Sequence, residues 1–470
     1  MSSKPGTESR PLHVAVVGAG PAGLYTAEAL SRREDLCVRV DVFDRWPTPY
    51  GLVREGVAPD HQSIKAVVRV LERVLEDPRV RFFGNVSFGE DVSRADLQRL
   101  YDQIVYAVGA QTDRRMGIPG EDLAGSWPAT DFVRWYNGHP ERADFAFDLS
   151  AERAVVVGNG NVAVDVARIL VTDPDVLAKT DIADHALEAL RGSRIREVAM
   201  LGRRGPAQAK FTNTELKELG RIEGVDVRVD PTDLALDPDS AASAAADRRA
   251  TRNLEILSEF AQRAPTGAGR RIVFRFLVSP VELVGAAGRM ESVLLERNRL
   301  ARQPNGYLAA VGTGELETLE AGLVLRSVGY RGVALPDVPF DERRGVIPNA
   351  GGRVLSGPGG DVVPREYVAG WIKRGPTGII GTNKACGAET AAAMAEDAAG
   401  LSADEAGPAR DPAAVEALLA GRCPDCVRLE DWRRLDRAET ERGAELGRPR
   451  VKVVRVEEML RIMGKRGGAG

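Results

Sequence analysis

Leu12-His-Val-Ala-Val-Val-Gly-Ala-Gly-Pro-Ala-Gly23 is the stretch on which the fold turns. Its first half is a nearly continuous apolar run, as expected of a buried parallel strand. Gly18-x-Gly20-x-x-Gly23 comes next, and then a helical run to about Arg33. Between a strand and a helix this spacing has a physical meaning. Gly18 permits the tight turn, Gly20 lets the backbone approach a pyrophosphate, and Gly23 lets helix and strand pack closely. The helix N-terminus then offers N–H groups and partial positive charge to phosphates. Val38–Asp44 alternates as a second strand, and Asp44 stands 21 residues after Gly23. There a carboxylate accepts the ribose hydroxyls of an unphosphorylated adenosine, the pattern of an FAD site.

The same unit recurs downstream. Ala154–Gly158 reads as a strand, Gly158-Asn-Gly160-Asn-Val-Ala163 as a turn with alanine in third place, and Val164–Leu170 as a helix. A helical insertion is expected at 172–193. Glu197–Leu201 resumes the sheet and ends in Gly202-Arg203-Arg204. Where an acid would read a 2′-hydroxyl, two guanidiniums suit a 2′-phosphate, so the second site is expected to prefer NADPH. Two dinucleotide sites with opposite adenosine chemistry imply a flavin and a nicotinamide, and hence hydride transfer between them.

Further strands are expected at Tyr101–Gly109 and Leu323–Tyr330, both ending near glycine. Residues 62–76 have helical spacing, with Ile64, Val67, Val68, Leu71 and Leu75 on one face. Residues 271–300 suggest antiparallel strands, 235–250 a polar surface helix or loop, 400–412 a linker, and the block after 412 charged helices.

With 470 residues, 43% hydrophobic and 28% charged, the chain has the balance of a globular protein of two or three domains. A net charge of −4 gives no global basic field for nucleic acid. The polar start, Met1–Pro11, has no secretory signal character, and no apolar run is long enough to span a bilayer, so the expected compartment is cytoplasmic. Four cysteines are too few for a disulfide framework. Cys423-Pro-Asp-Cys426 has redox-pair spacing, but a zinc site would lack a second pair or a nearby histidine. Two incidental cysteines on a helix are the favoured reading.

Several long stretches resemble NADPH–ferredoxin reductases of the adrenodoxin-reductase type, especially the actinobacterial members. They are Pro47-Thr-Pro-Tyr-Gly-Leu-Val-Arg-Glu-Gly-Val-Ala-Pro-Asp-His61, Gly158–Arg168, Gly202–Leu219, and Tyr367-Val-Ala-Gly-Trp-Ile-Lys-Arg-Gly-Pro-Thr-Gly-Ile-Ile-Gly-Thr-Asn-Lys384. The resemblance implies an α/β fold of two three-layer Rossmann-like domains. An NADP-binding domain (112–327) is inserted into a discontinuous FAD-binding domain (1–111 and 328–470), with a C-terminal helical extension from about 412. It further implies FAD contacts at Gly18, Gly20, Ala22, Gly23, Asp44, Leu52, Trp371, Gly378, Ile379 and Ile380, with Phe88, at a strand end, flanking the adenine. Implied NADP contacts are Arg114, Asn159, Gly160, Asn161, Val162, Arg203, Arg204 and Glu215, with Gly378 at the nicotinamide end. His61 and Glu218 match family residues near the reacting rings, where they would tune electrostatics and place the nicotinamide. Gly375-Pro-Thr-Gly378 would open a helix to about Ala399 whose positive end faces the flavin.

Three residues depart from the family pattern: Glu55 where an apolar or small residue is usual, Gln62 where proline is common, and Asp44 where relatives tend to have glutamate. The activity implied is transfer of hydride from NADPH to FAD and of single electrons to a small acidic ferredoxin, by a monomer with no membrane span. Alternatives are a disulfide reductase using Cys423 and Cys426, a glutamate-synthase-like reductase subunit, and a flavin-bound regulator without turnover.

Overall fold

Leu12–Val17 (β1) is a buried strand with parallel partners on both sides, which is why its sequence is apolar on both faces. The computed structural model describes residues 4–400 and 410–466, so the middle of the expected linker lies outside the described residues. The chain divides into two compact units, Met1–Thr112 with Tyr330–Gly470, and Asp113–Gly329.

The first unit opens with β1, β2 (Val38–Phe43), β3 (Val80–Phe83) and β4 (Gln103–Tyr106). The second carries β5 (Ser126–Pro128), β6 (Arg153–Val157), β7 (Glu197–Gly202), β8 (Val225–Val229), β9 (Arg270–Phe276), β10 (Val278–Ala286), β11 (Arg289–Arg302), β12 (Leu308–Glu320) and β13 (Leu323–Arg326). The chain then returns to the first unit with β14 (Asn349–Ala350), β15 (Arg353–Leu355) and β16 (Val362–Val368). Among the described residues, the first unit has a seven-stranded sheet in the order β14-β15-β16-β4-β1-β2-β3. The second has a six-stranded sheet, β5-β13-β6-β7-β9-β8, and a separate antiparallel sheet, β10-β11-β12. In each unit a glycine turn leads into an eleven-residue helix, Pro21–Ser31 and Asn161–Val171.

Several expectations shift in detail. Arg270–Phe276 is not antiparallel: it lies parallel between β7 and β8. Alternation in sequence reports the two faces of a strand, not its direction. Leu277, at φ +55°, then turns the chain into the antiparallel sheet. Residues 62–76 form two short helices, Gln62–Lys65 and Val68–Leu75, and Ile64 faces outward. The break arises from tight three-residue bonds such as Val67 N–H to Ile64 O (3.3 Å). Residues 235–250 hold the helix Pro238–Ala245 and the start of Arg248–Gln262, and the 172–193 insertion is Pro174–Leu177 and Asp184–Arg191. β4 and β13 are shorter than expected. No helix among the described residues is long and apolar enough to cross a membrane.

The C-terminal block, with helices Pro412–Arg422, Leu429–Glu445 and Val456–Ile462, is built into the first unit's core through Val415, Leu419, Trp432, Leu435 and Met459. Its anchor is Glu439, which is fully buried. Glu439 accepts two bonds from the Arg54 guanidinium (2.6 and 2.8 Å), one from Arg450 (3.1 Å) and one from Val453 N–H (2.9 Å). Burial alone would raise the Glu439 pKa. The Arg54 and Arg450 guanidiniums outweigh burial and hold it below the usual carboxylate value. Its stabilising contribution is therefore complete above the unfolded-state pKa and is lost as pH falls through the folded value. Glu439→Ala is expected to destabilise the first unit by about 3–5 kcal/mol, because it strands buried guanidiniums. Denaturant unfolding would show this as a lower midpoint, and an unchanged midpoint would refute the anchoring role.

Candidate functional site

The first glycine turn is held by contacts that leave no room for side chains. A Cβ on Gly18 (φ +113°) would stand 2.6 Å from Ala107 O, and one on Gly23 2.0 Å from Gly18 O. Gly18 N–H donates to Phe43 O (2.7 Å), tying the turn to the end of β2. Gly20 is the N-cap of the Pro21–Ser31 helix, with no side chain capping it, so the first-turn N–H groups can face a phosphate. Ala22 is buried behind them.

Asp44 comes directly after β2, as the sequence requires. Its two carboxylate oxygens accept Ala19 N–H (2.8 Å) and Trp46 N–H (3.0 Å). Each oxygen keeps lone-pair capacity for a ribose hydroxyl. Burial raises the Asp44 pKa, offset in part by those two N–H groups. The loop beyond folds over the turn. Tyr50, at φ +81°, donates its N–H to Ala19 O (2.9 Å), and Gly51, at φ +48°, brings its backbone against Gly20. Leu52, half-buried, starts the next helical turn. Glu55 is buried and accepts from Thr48 Oγ1 (3.4 Å), and Gln62 Nε2 donates to Pro59 O (2.8 Å), so these two of the three departures are absorbed locally. His61 occupies the N-cap of Gln62–Lys65 without a side-chain cap bond.

Phe88 is not at a strand end. It lies five residues beyond β3, in a loop, with its ring edge-on to Tyr106 at 5.8 Å. The 375–381 segment is likewise a loop, not the opening of a helix. Gly375 and Gly378 both have φ +84°, which a right-handed helix excludes, and the helix runs Thr382–Gly400. Its positive end therefore lies at Thr382, whose hydroxyl accepts Ile379 N–H (3.1 Å). Ile379 is exposed and Ile380 half-buried. The helix packs closely on Pro21–Ser31, since a Cβ at Gly387 would meet Thr26 N at 2.9 Å. Trp371 packs against Tyr330 at 5.2 Å, and its buried indole N–H has no acceptor among the described residues. An unsatisfied buried donor beside an uncapped helix end and a glycine-lined cradle fits a flavin dinucleotide.

The second unit repeats the constraint. A Cβ on Gly158 (φ +139°) would stand 2.2 Å from Ser327 O, whereas Gly160 faces open space, as close approach of a phosphate demands. The third position takes alanine, and Ala163 is fully buried. The Asn159 side chain covers Gly202, where a Cβ would lie 1.8 Å from Nδ2. Asn161 Oδ1 accepts Thr212 N–H (2.8 Å), and Val162 is half-buried in the uncapped first turn of the helix. Arg203 and Arg204 come directly after β7. Neither guanidinium makes an ion pair or hydrogen bond among the described residues, and that of Arg204 lies 5.0 Å over the Tyr307 ring. Arg114 is exposed, with its N–H on Gly329 O (2.9 Å). On the helix Asn213–Leu219, Glu215 and Glu218 face the buried Arg168 guanidinium at 3.6 and 3.8 Å.

These features define a class: oxidoreductases built from two dinucleotide-binding folds. Residues 12–229 match the model of the family described as pyridine nucleotide-disulphide oxidoreductase. The chain is 49% identical over 460 residues to NADPH-ferredoxin reductase FprA of Mycobacterium tuberculosis, covering 96% of this chain and 99% of that protein. It is 42% identical to the mitochondrial NADPH:adrenodoxin oxidoreductase of Arabidopsis thaliana, covering 96% and 95%. The solved structure of Mycobacterium tuberculosis FprA in complex with NADPH is 49% identical, covers 97% of this chain and 100% of its own, and superposes with a TM-score of 0.91. The chain belongs to the family of NADPH–ferredoxin reductases of the adrenodoxin-reductase type, enzymes that use FAD and NADPH.

The cysteine pair is not on a helix surface. Cys423 ends the helix Pro412–Arg422 and donates to Asn85 O (2.9 Å), while Cys426 sits in the next loop, beside the Gly84–Val427 bridge. Both are free and buried. Burial pushes the Cys423 thiol up to about 12 and the Cys426 thiol up to about 11. Thiolate is the reactive form, so both are expected to resist alkylation at pH 7 until the protein unfolds, and Cys423→Ser should leave NADPH turnover unchanged. Rapid labelling of the folded protein, read by mass spectrometry, would contradict this.

Proposed function

We propose that the protein is an NADPH:ferredoxin oxidoreductase, with FAD in the first unit and NADPH in the second. The observation that carries the assignment is the contrast at the two strand ends: a carboxylate, Asp44, after β2, and after β7 two guanidiniums, Arg203 and Arg204, that make no ion pair among the described residues. A carboxylate accepts from ribose hydroxyls and repels a 2′-phosphate, while a guanidinium pair attracts the phosphate.

In this reading Gly18, Gly20, Ala22 and Gly23 hold the FAD pyrophosphate, and Leu52, Trp371 and Gly378 to Ile380 line the flavin. Phe88 lies toward the adenine. Asn159 to Val162 hold the NADPH pyrophosphate, with Arg114 and Glu215 as further contacts. His61 and Glu218 place the nicotinamide and tune the field around the rings, with proton delivery a second role. Bound FAD supplies the chemistry of accepting hydride from NADPH and releasing electrons singly. Each turnover then yields NADP⁺, a proton and two reduced iron–sulfur proteins. The partner is a small acidic ferredoxin, the enzyme a cytoplasmic monomer. The disulfide-reductase alternative is disfavoured by the buried, high-pKa thiols.

The assignment is tested by NADPH oxidation at low oxygen, with and without a small ferredoxin, coupled to cytochrome c. Strong ferredoxin dependence is expected, and oxidation indifferent to ferredoxin would refute the acceptor. Arg203→Ala with Arg204→Ala should lower kcat/KM for NADPH at least about tenfold, given roughly 1.5–3 kcal/mol per hydrogen bond to a charged group, and leave NADH use nearly unchanged. Equal losses for the two nucleotides would sink the specificity assignment.

A further inference from the structure

We propose that Tyr307 is a positioning residue for NADPH selectivity, acting through Arg204; this rests on the arginine pair binding the 2′-phosphate. Tyr307 sits on the turn between β11 and β12, outside every motif that marks the site in the sequence. Tyr307 is 44% exposed, and the Arg204 guanidinium lies over its ring at 5.0 Å, within the range of a cation–π contact. Because Arg204 makes no ion pair or hydrogen bond among the described residues, this ring is what orients its side chain. Arg203, next to it, is exposed and has no such platform.

The turn is built to hold the ring in place. Gln303 N–H donates to Tyr307 O (2.8 Å), Gly306 N–H to Gln303 O (2.9 Å), and Tyr307 N–H to Asn305 Oδ1 (3.0 Å), with Gly306 at φ +80°. The arginine loop is tied to the same antiparallel sheet. Asn298, in β11, donates from Nδ2 to Arg203 O (2.9 Å) and Ser279 Oγ (2.8 Å), and from its backbone N–H to Leu277 O (2.7 Å). Leu277 N–H in turn donates to Arg204 O (3.2 Å). Both backbone and side chain of Arg204 are thus set before any ligand arrives. An unheld arginine gives up rotamer freedom when it is fixed, and a side chain ordered in advance avoids part of that loss on binding.

The test is calorimetric titration of the FAD-loaded protein with 2′,5′-ADP and with 5′-AMP, which differ only in the 2′-phosphate. Tyr307→Leu keeps bulk and removes the π face. It is expected to weaken 2′,5′-ADP roughly two- to five-fold, the effect of an exposed cation–π contact, and to leave 5′-AMP unchanged. The KM for NADPH should rise by the same factor with kcat unaltered, and Tyr307→Phe should restore wild-type binding. Equal weakening of both ligands would mean that the ring touches adenine directly and would overturn the proposal. So would a Tyr307→Leu protein that binds like wild type while Arg204→Ala loses 2′,5′-ADP affinity. If Arg203→Ala and Arg204→Ala also bind both ligands as wild type does, the assignment of the arginine pair falls together with the proposal.

Discussion

A glycine pressed against a carbonyl oxygen at the end of a neighbouring strand is the constraint on which both halves of this protein depend. In the first unit Gly18 lies against Ala107 O, in the second Gly158 against Ser327 O. Any side chain at either place would drive the turn away from the sheet. The turn must lie there because the helix behind it directs its N–H groups outward beyond the strand ends, where a pyrophosphate can be received. The same packing fixes the residues just past each second strand. Asp44 binds back to the first turn through Ala19, and Gly202, under the Asn159 amide, sets where Arg203 and Arg204 begin.

Around this repeated element the two units are supported differently. The first is buttressed by the chain's last third. The helix Thr382–Gly400 rests on Pro21–Ser31 through Gly387, and Glu439 clamps Arg54 just beyond Leu52. Lys452 adds a bond to the Arg54 carbonyl (3.0 Å). The second unit is supported from within its own span, by an antiparallel sheet whose Asn298 and Tyr307 hold the double-arginine loop. The double-arginine loop is therefore held by sequence-distant residues that carry no dinucleotide motif, whereas Asp44 is held by Ala19 within the first turn and by Trp46 just beyond it.

That distinction explains what the sequence made legible. Glycine turns, buried parallel strands and the charge at each second strand's end are local patterns with one physical use, and Gly18, Asp44, Gly158, Arg203 and Arg204 are readable from them. Strand direction is not local: Arg270–Phe276 alternates like an antiparallel strand yet lies parallel, because its partners come from far along the chain. The helix start at Thr382 escapes a motif-based reading because the left-handed backbone of Gly375 and Gly378 shows only in three dimensions. Phe88 and the cysteine pair are similar cases. Their surroundings, Tyr106 in one and Asn85 in the other, are supplied by tertiary contacts that spacing does not encode. Tyr307 carries no sequence signal at all, since an aromatic residue in a hairpin turn has many uses.

The division of the first unit between Met1–Thr112 and Tyr330–Gly470 has a consequence for synthesis. On the ribosome, β1 to β4 emerge long before β16, the strand that flanks β4 on its outer side, and before the helix that covers Pro21–Ser31. Strand β4 waits as an unprotected sheet edge while more than two hundred intervening residues are made. Those residues, Asp113–Gly329, form a contiguous unit that can complete itself during translation, so the domain that begins the chain is the last to close. Its earliest strands must therefore stay unpaired and soluble the longest.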